Sequence, residues 1–157
     1  DKTSVPEVNY GINTSISFKG LSLFANFAGA ANVYQPYRFQ ALLGFNTLQD
    51  LLDSRYTEGS MNSKYPTLPL QSGVNSLSST FWLFNTSYLR LKTLELGYDL
   101  PQNVISVVKV KTARIYLNGS NLITFSKMKL FDPENTNLDG FFYPQSRIYN
   151  IGLTITF

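Results

Sequence analysis

Cysteine and histidine are both absent from the 157 residues. That absence removes thiolate nucleophiles, disulfides, histidine metal sites and the side chain most often used as a general base. Charge is scarce too, with Asp, Glu, Lys and Arg at 15% of the chain against roughly 25% in a typical soluble protein. The net charge is +3, but the Lys and Arg residues are scattered with no basic run, so a nucleic-acid groove finds little support. Long hydrophobic runs are missing as well. No window approaches the roughly 18 consecutive apolar residues of a spanning helix, which excludes a transmembrane helix. The opening Asp1-Lys2-Thr3-Ser4 has no apolar signal-peptide core, which implies a removed targeting segment or a start partway through a larger protein.

What the chain does have is aromatic side chains, 15% of the total from 12 Phe, 10 Tyr and a single Trp. It also has strict alternation. In YNIGLTITF, the residues Tyr149, Ile151, Leu153, Ile155 and Phe157 occupy one face of a strand, and Asn150, Gly152, Thr154 and Thr156 the other. That length is about what a tilted strand needs to cross the hydrocarbon core of a bilayer. A β-barrel passes unnoticed in hydropathy because only alternate residues face lipid. A half-buried strand of a soluble sandwich gives the same pattern when taken alone.

The rest of the chain repeats it. Tyr10, Ile12, Ile16 and Phe18 alternate with Gly11, Asn13, Ser15 and Ser17, and after a Lys19-Gly20 turn Leu21, Leu23, Ala25 and Phe27 continue as the return strand of a hairpin. Strands are predicted at about 8–18, 21–31, 86–98, 111–123 and 147–157. In the third, Leu89 and Leu91 fall on the opposite parity to Leu94 and Leu96, which predicts a bulge or a shift near Lys92. The polar faces are mostly Asn, Ser, Thr and Gly, which suits a lumen passing neutral polar solutes. The expected fold class is therefore all-β: about five C-terminal antiparallel strands of a large transmembrane barrel.

Connection lengths sort in the same sense. With Phe157 at the periplasmic side, the long connections at about 32–85 and 124–144 fall outside, and the short turns fall inside, as in outer-membrane barrels. Within the first long loop, Thr47-Leu48-Gln49-Asp50 resembles a capping box and predicts a short helix ending near Gly59. Five strands are too few to close a pore, so the first and last must pair with sequence outside the chain.

SYLRLKTLELGYDLP, from Ser87 to Pro101, resembles a signature of the SusC/RagA family of TonB-dependent outer-membrane transporters. Similar stretches follow in the family's order: RIYLNGSNLITFSKMKLFDPE from Arg114, the triplet Tyr143-Pro144-Gln145, and RIYNIGLTITF from Arg147. YGINTSISFKGLSLFANFAGA, from Tyr10, is similar to the family's preceding hairpin, and LLDSRYTEG to its loop before a Pro-rich coil, with Tyr56 in place of an expected Trp. The resemblance implies a plugged barrel of about 22 strands. It also implies import of oligosaccharides or peptides with a SusD-like surface lipoprotein, energy from the TonB complex, and the outer membrane of a Gram-negative bacterium as location. Plug domain and TonB box are absent from this sequence. The implied partners are the rest of the barrel and its plug, the lipoprotein, the barrel assembly machinery and the lipid bilayer, with no nucleic acid.

Site candidates are few. Tyr149, Ile151, Leu153, Ile155 and Phe157 are expected to face lipid, with Phe157 a terminal aromatic of the kind that barrel assembly recognises. Tyr34, Tyr37, Trp82 and Tyr143 are outer-loop aromatics that can stack on sugar rings or meet a partner, or can simply anchor loops at the interface. Asp132, Glu134 and Asp139 share one outer loop and are weak candidates for Ca²⁺, having no regular ligand spacing. No cofactor or enzyme activity is expected: Gly119-Ser120-Asn121 has no histidine to complete a triad, and no carboxylate pair is evidently held for glycoside cleavage. The rival reading is a secreted all-β carbohydrate-binding or adhesin module.

Overall fold

The computed structural model describes residues 2–36, 49–60, 62–67, 77–108, 110–136 and 143–157. Two compact units make up the chain, one of Val8–Ala31, Tyr88–Phe125 and Gln145–Phe157, the other of Asp1–Glu7, Asn32–Ser87 and Ser126–Pro144.

The first unit is an antiparallel sheet. Strands β1 (Val8–Phe18) and β2 (Leu21–Ala31) form a hairpin that pairs from Phe18↔Leu21 to Val8↔Ala31. Its two-residue turn has φ of 47° at Lys19 and 84° at Gly20. Positive φ at both central positions gives the turn the twist that matches its flanking strands, and glycine takes it without a Cβ penalty. In chain order the sheet then skips to β5 (Tyr88–Asp99), β6 (Thr112–Ser126) and β7 (Ile148–Thr156), with strand order β1-β2-β5-β6-β7.

Between β2 and β5 the register runs Asn26↔Thr93 and then Phe27↔Leu91. Lys92 is the extra residue of a bulge. Its insertion brings Leu89 and Leu91 onto the same face as Leu94 and Leu96, so the parity switch in the sequence disappears in space. Strand β6 reaches Ser126, beyond the expected end near 123, and Asn121 within it has φ of 55°, where pairing with β7 has just ended at Ser120↔Ile148.

Both short connections, Lys19-Gly20 and the stretch from Leu100 to Lys111, join strands at one end of the sheet, and both long ones leave from the other. Pro101, which lacks a ladder donor, caps the short helix α2 (Gln102–Ile105). Leu100 and Lys111 continue the ladder on either side of it, donating to the carbonyls of Ala113 and Thr156, each at 2.8 Å. Ile105 is buried.

The second unit holds strands β3 (Tyr34–Pro36) and β4 (Leu83–Asn85), paired antiparallel. The N-terminal residues fasten onto β3: Tyr34 N donates to Thr3 O at 2.9 Å and Gln35 Nε2 to Ser4 O at 3.1 Å. Thr86, fully buried, donates from its N to Val33 O at 2.9 Å. The core of this unit is Tyr65, Trp82 and Met128, with Phe84, Leu130 and Phe131 packed against it. The loop helix α1 (Gln49–Asp53) stops well short of Gly59, which instead lies in a turn closed by Ser60 N to Thr57 O at 2.9 Å. Ser60 Oγ also accepts from Thr57 N, so the local side-chain bond competes successfully with further helix. The capping-box residues Thr47 and Leu48 lie outside the described residues. Among the described residues no helix is long and apolar enough to cross a membrane, a statement that does not bear on strands.

Candidate functional site

Two faces of the five-stranded sheet differ in chemistry. Cross-strand pairing puts Val8, Ile12, Ile16 and Phe18 of β1 beside Ala31, Phe27, Leu23 and Leu21 of β2, then Leu91, Leu94, Leu96 and Tyr98 of β5. On β6 and β7 the matching pairs are Ala113↔Ile155, Ile115↔Leu153, Leu117↔Ile151 and Gly119↔Tyr149. This apolar face is open over much of its area. Of the five terminal residues expected to face lipid, Tyr149 is 72% exposed, Ile151 76%, Leu153 57%, Ile155 43% and Phe157 78%. A soluble sandwich would bury these side chains under a second sheet, since each large aliphatic left in water forgoes about 1.5–3 kcal/mol.

The opposite face is polar and organised. Asn26 Nδ2 donates to Asn13 Oδ1 across β1 and β2, and Asn150 Nδ2 to Asn118 Oδ1 at 2.8 Å across β6 and β7. Between them Arg114 Nη2 donates to Ser22 Oγ at 2.9 Å and to Glu95 Oε1 at 3.0 Å, while Nη1 lies 3.7 Å from Asp99 Oδ1. One guanidinium thus ties β2, β5 and β6 together. Gly97 makes room for it, because a Cβ there would stand 2.7 Å from Arg114 Cζ. These side chains are about one-third exposed or more, so their ion pairs are partly screened and contribute modestly.

In the second unit the expected loop aromatics are dispersed. Trp82 is only 4% exposed; it stacks on Tyr65 with ring centroids 6.2 Å apart and meets the edge of Phe81 at 4.6 Å. Its ring packs into the core of this unit while one side still lines a cavity. The exposed rings beside it, Tyr56 and Phe81, share with Trp82 a cavity of about 500 Å³ also lined by Lys64, Tyr65 and Pro66. Tyr34 sits in β3 with the Lys2 ammonium 5.4 Å from its ring centroid, and Tyr143 is 95% exposed. Tyr37 lies outside the described residues, as does Asp139. Asp132 Oδ1 accepts from Glu134 N at 3.0 Å, and Asn135 N donates to Asp132 O at 3.1 Å, so this carboxylate stabilises a turn. Among the described residues no group of three metal-ligating side chains stands together.

Sequence reasoning missed the Arg114 network and the Tyr65–Trp82–Met128 core. Both join residues far apart in sequence, and only alternation on β5 and β6 hinted that Glu95 and Arg114 share a face.

No family model matches the chain. Among curated proteins it is 27% identical, over 98% of its length, to TonB-dependent receptor P26 of Formosa agariphila, and 26% identical over 99% to TonB-dependent receptor SusC of Bacteroides thetaiotaomicron. It spans 17% and 16% of those two proteins, respectively. Among solved structures, the RagAB peptide importer matches the whole chain, with a TM-score of 0.77 and 31% identity in its open-open state and 0.78 and 32% in its closed-closed state. The chain covers 18% of the matched RagAB chain in each. The chain is thus similar to a barrel segment of the SusC and RagAB transporters. Its five strands correspond to a fragment of a TonB-dependent receptor barrel, and the match extends through both units. The relatives of the SusC/RagA-like segment are receptors and importers by name, not enzymes.

Proposed function

We propose that the segment forms part of the wall of an outer-membrane nutrient importer in a Gram-negative bacterium, taking up oligosaccharides or peptides without chemical change. In this reading the apolar face meets acyl chains and the Asn-lined face meets the lumen. The short connections lie at the periplasm and the long ones outside, where a SusD-like lipoprotein closes over the mouth. Strands β1 and β7, which end the sheet, pair with further strands of the same receptor; an open edge in lipid would leave N–H and C=O groups unpaired at several kcal/mol each. A plug and a TonB-contacting segment elsewhere in the receptor supply gating and energy, and barrel assembly machinery reads the terminal strand.

The observation that carries this reading is the openness of Ile151, Leu153 and Ile155 on a strand whose alternate residues, Asn150 and Thr154, face the polar side. Site-directed spin labelling of the full receptor in vesicles tests it, and the lack of native cysteine in this segment simplifies the design. Labels at 151, 153 and 155 are expected to be relaxed by oxygen and shielded from a water-soluble nickel chelate, with the reverse at 150 and 154. Accessibility without this period of two would overturn the assignment.

A further inference from the structure

The second unit contains a cavity of about 440 Å³ that the transport reading leaves unexplained. Three ammonium-bearing side chains line it, Lys64, Lys127 and Lys129, together with Asn85 and the apolar groups of Phe84, Met128 and Leu130. No acidic residue is among these lining residues. Lys127 and Lys129 flank buried Met128, so the alternation that sends Met128 into the core holds both neighbours outside it.

Two of the polar groups here, Asn85 and Tyr65, do not use their full donor capacity. Asn85 Oδ1 accepts from Ser87 N at 2.9 Å, whereas its Nδ2 makes only a long 3.5 Å bond to the Tyr34 hydroxyl. Tyr65 also lines the cavity; its hydroxyl is buried without a hydrogen-bond partner, and a buried donor left in that state costs about 1–3 kcal/mol. The exposed Lys64 chain lies over that ring, its Nζ 5.0 Å from the centroid. Two lysines, an amide donor held by only one long bond, and an apolar floor describe a receptor for an anion attached to an apolar body.

We propose that this cavity binds the carboxylate of an acidic peptide. The carboxylate sits at the Lys127 and Lys129 ammonium groups and Asn85 Nδ2, with a neighbouring apolar side chain against Phe84, Met128 and Leu130. An acidic sugar carries the same charge, but its ring hydroxyls find no partners on such a floor, and burying them unpaired is unfavourable. This assignment rests on the importer reading and narrows its cargo.

The test uses the full receptor, purified in detergent and titrated calorimetrically with a hexapeptide of Glu, Leu and Phe and with its Gln-for-Glu counterpart. The Glu peptide is expected to bind about tenfold tighter, as charge-assisted hydrogen bonds are roughly twice as strong as neutral ones. A Lys127→Gln/Lys129→Gln double variant is expected to lose that preference while keeping its affinity for the Gln peptide. Equal affinities for the two peptides in the parent, or an undiminished preference in the double variant, would overturn the proposal. Tighter binding of trigalacturonate than of the Glu peptide would overturn it too, in favour of an acidic glycan. Heat-modifiable gel mobility of the same preparations reports separately on whether a barrel has formed, so a failure here is distinguishable from a failure of the importer reading.

Discussion

Individual side chains explain several glycines of the sheet. A Cβ built on Gly29 would stand 2.5 Å from Tyr10 Cζ and would also collide with the carbonyl oxygen of Tyr88. Tyr10 lies across that gap and donates from its hydroxyl to the same Tyr88 carbonyl at 2.8 Å. An aromatic ring covering a cross-strand glycine secures register, and the same arrangement recurs at Gly152 beneath Tyr116. Gly29→Ala is therefore expected to displace Tyr10 and strain backbone, at about 1–3 kcal/mol. A lower heat-modification midpoint for the assembled receptor is the readout. Gly97→Ala should cost less, because the atoms it meets belong to the flexible end of Arg114 and the hydroxyl of Ser22.

For the elements, register decides which residues meet which solvent. A strand's side chains alternate with a period of two, so one inserted or deleted residue turns everything beyond it to the opposite face. Lys92 is already the surplus residue of β5, and its removal leaves Asn26↔Thr93 and Phe27↔Leu91 as consecutive pairs. Deleting Lys92 is expected to leave most of the receptor assembled. Deleting Asn118 from β6, where pairing with β7 is regular, should abolish assembly by turning one end of the strand inside out. Outer-membrane levels of folded receptor, compared between the two deletions, decide the matter. Similar losses for both would mean that the bulge is not the adjustable point of this strand.

For the whole molecule, the open apolar face is the dominant physical fact. Val8, Ile12, Ile16 and Phe18 on one outer strand and Tyr149, Ile151 and Leu153 on the other are all more than half exposed or close to it, and neither strand is covered along its length. Contiguous apolar surface of this kind signals contact with something other than water. The isolated 157-residue chain is accordingly expected to aggregate in detergent-free buffer and to stay dispersed in a mild detergent. A monodisperse species that unfolds cooperatively without detergent, seen by sedimentation and calorimetry, would instead favour the secreted binding-module reading.

Much of this sheet was legible from the residues alone, for a local reason. Alternation of period two records which side of a strand is wet, and a Lys-Gly pair between two alternating runs records where a hairpin turns, so β1, β2, β7 and the parity switch at Lys92 were all readable in one dimension. What the tertiary structure decided depends on residues remote in sequence. Trp82 reads as a surface aromatic until Tyr65 and Met128 close over it. Arg114 reads as an isolated charge until the order of the strands brings Ser22, Glu95 and Asp99 to it. The lysines at 64, 127 and 129 have no shared pattern in the sequence and gain a common cavity only through folding, because packing, unlike alternation, is set by neighbours that a chain meets in three dimensions.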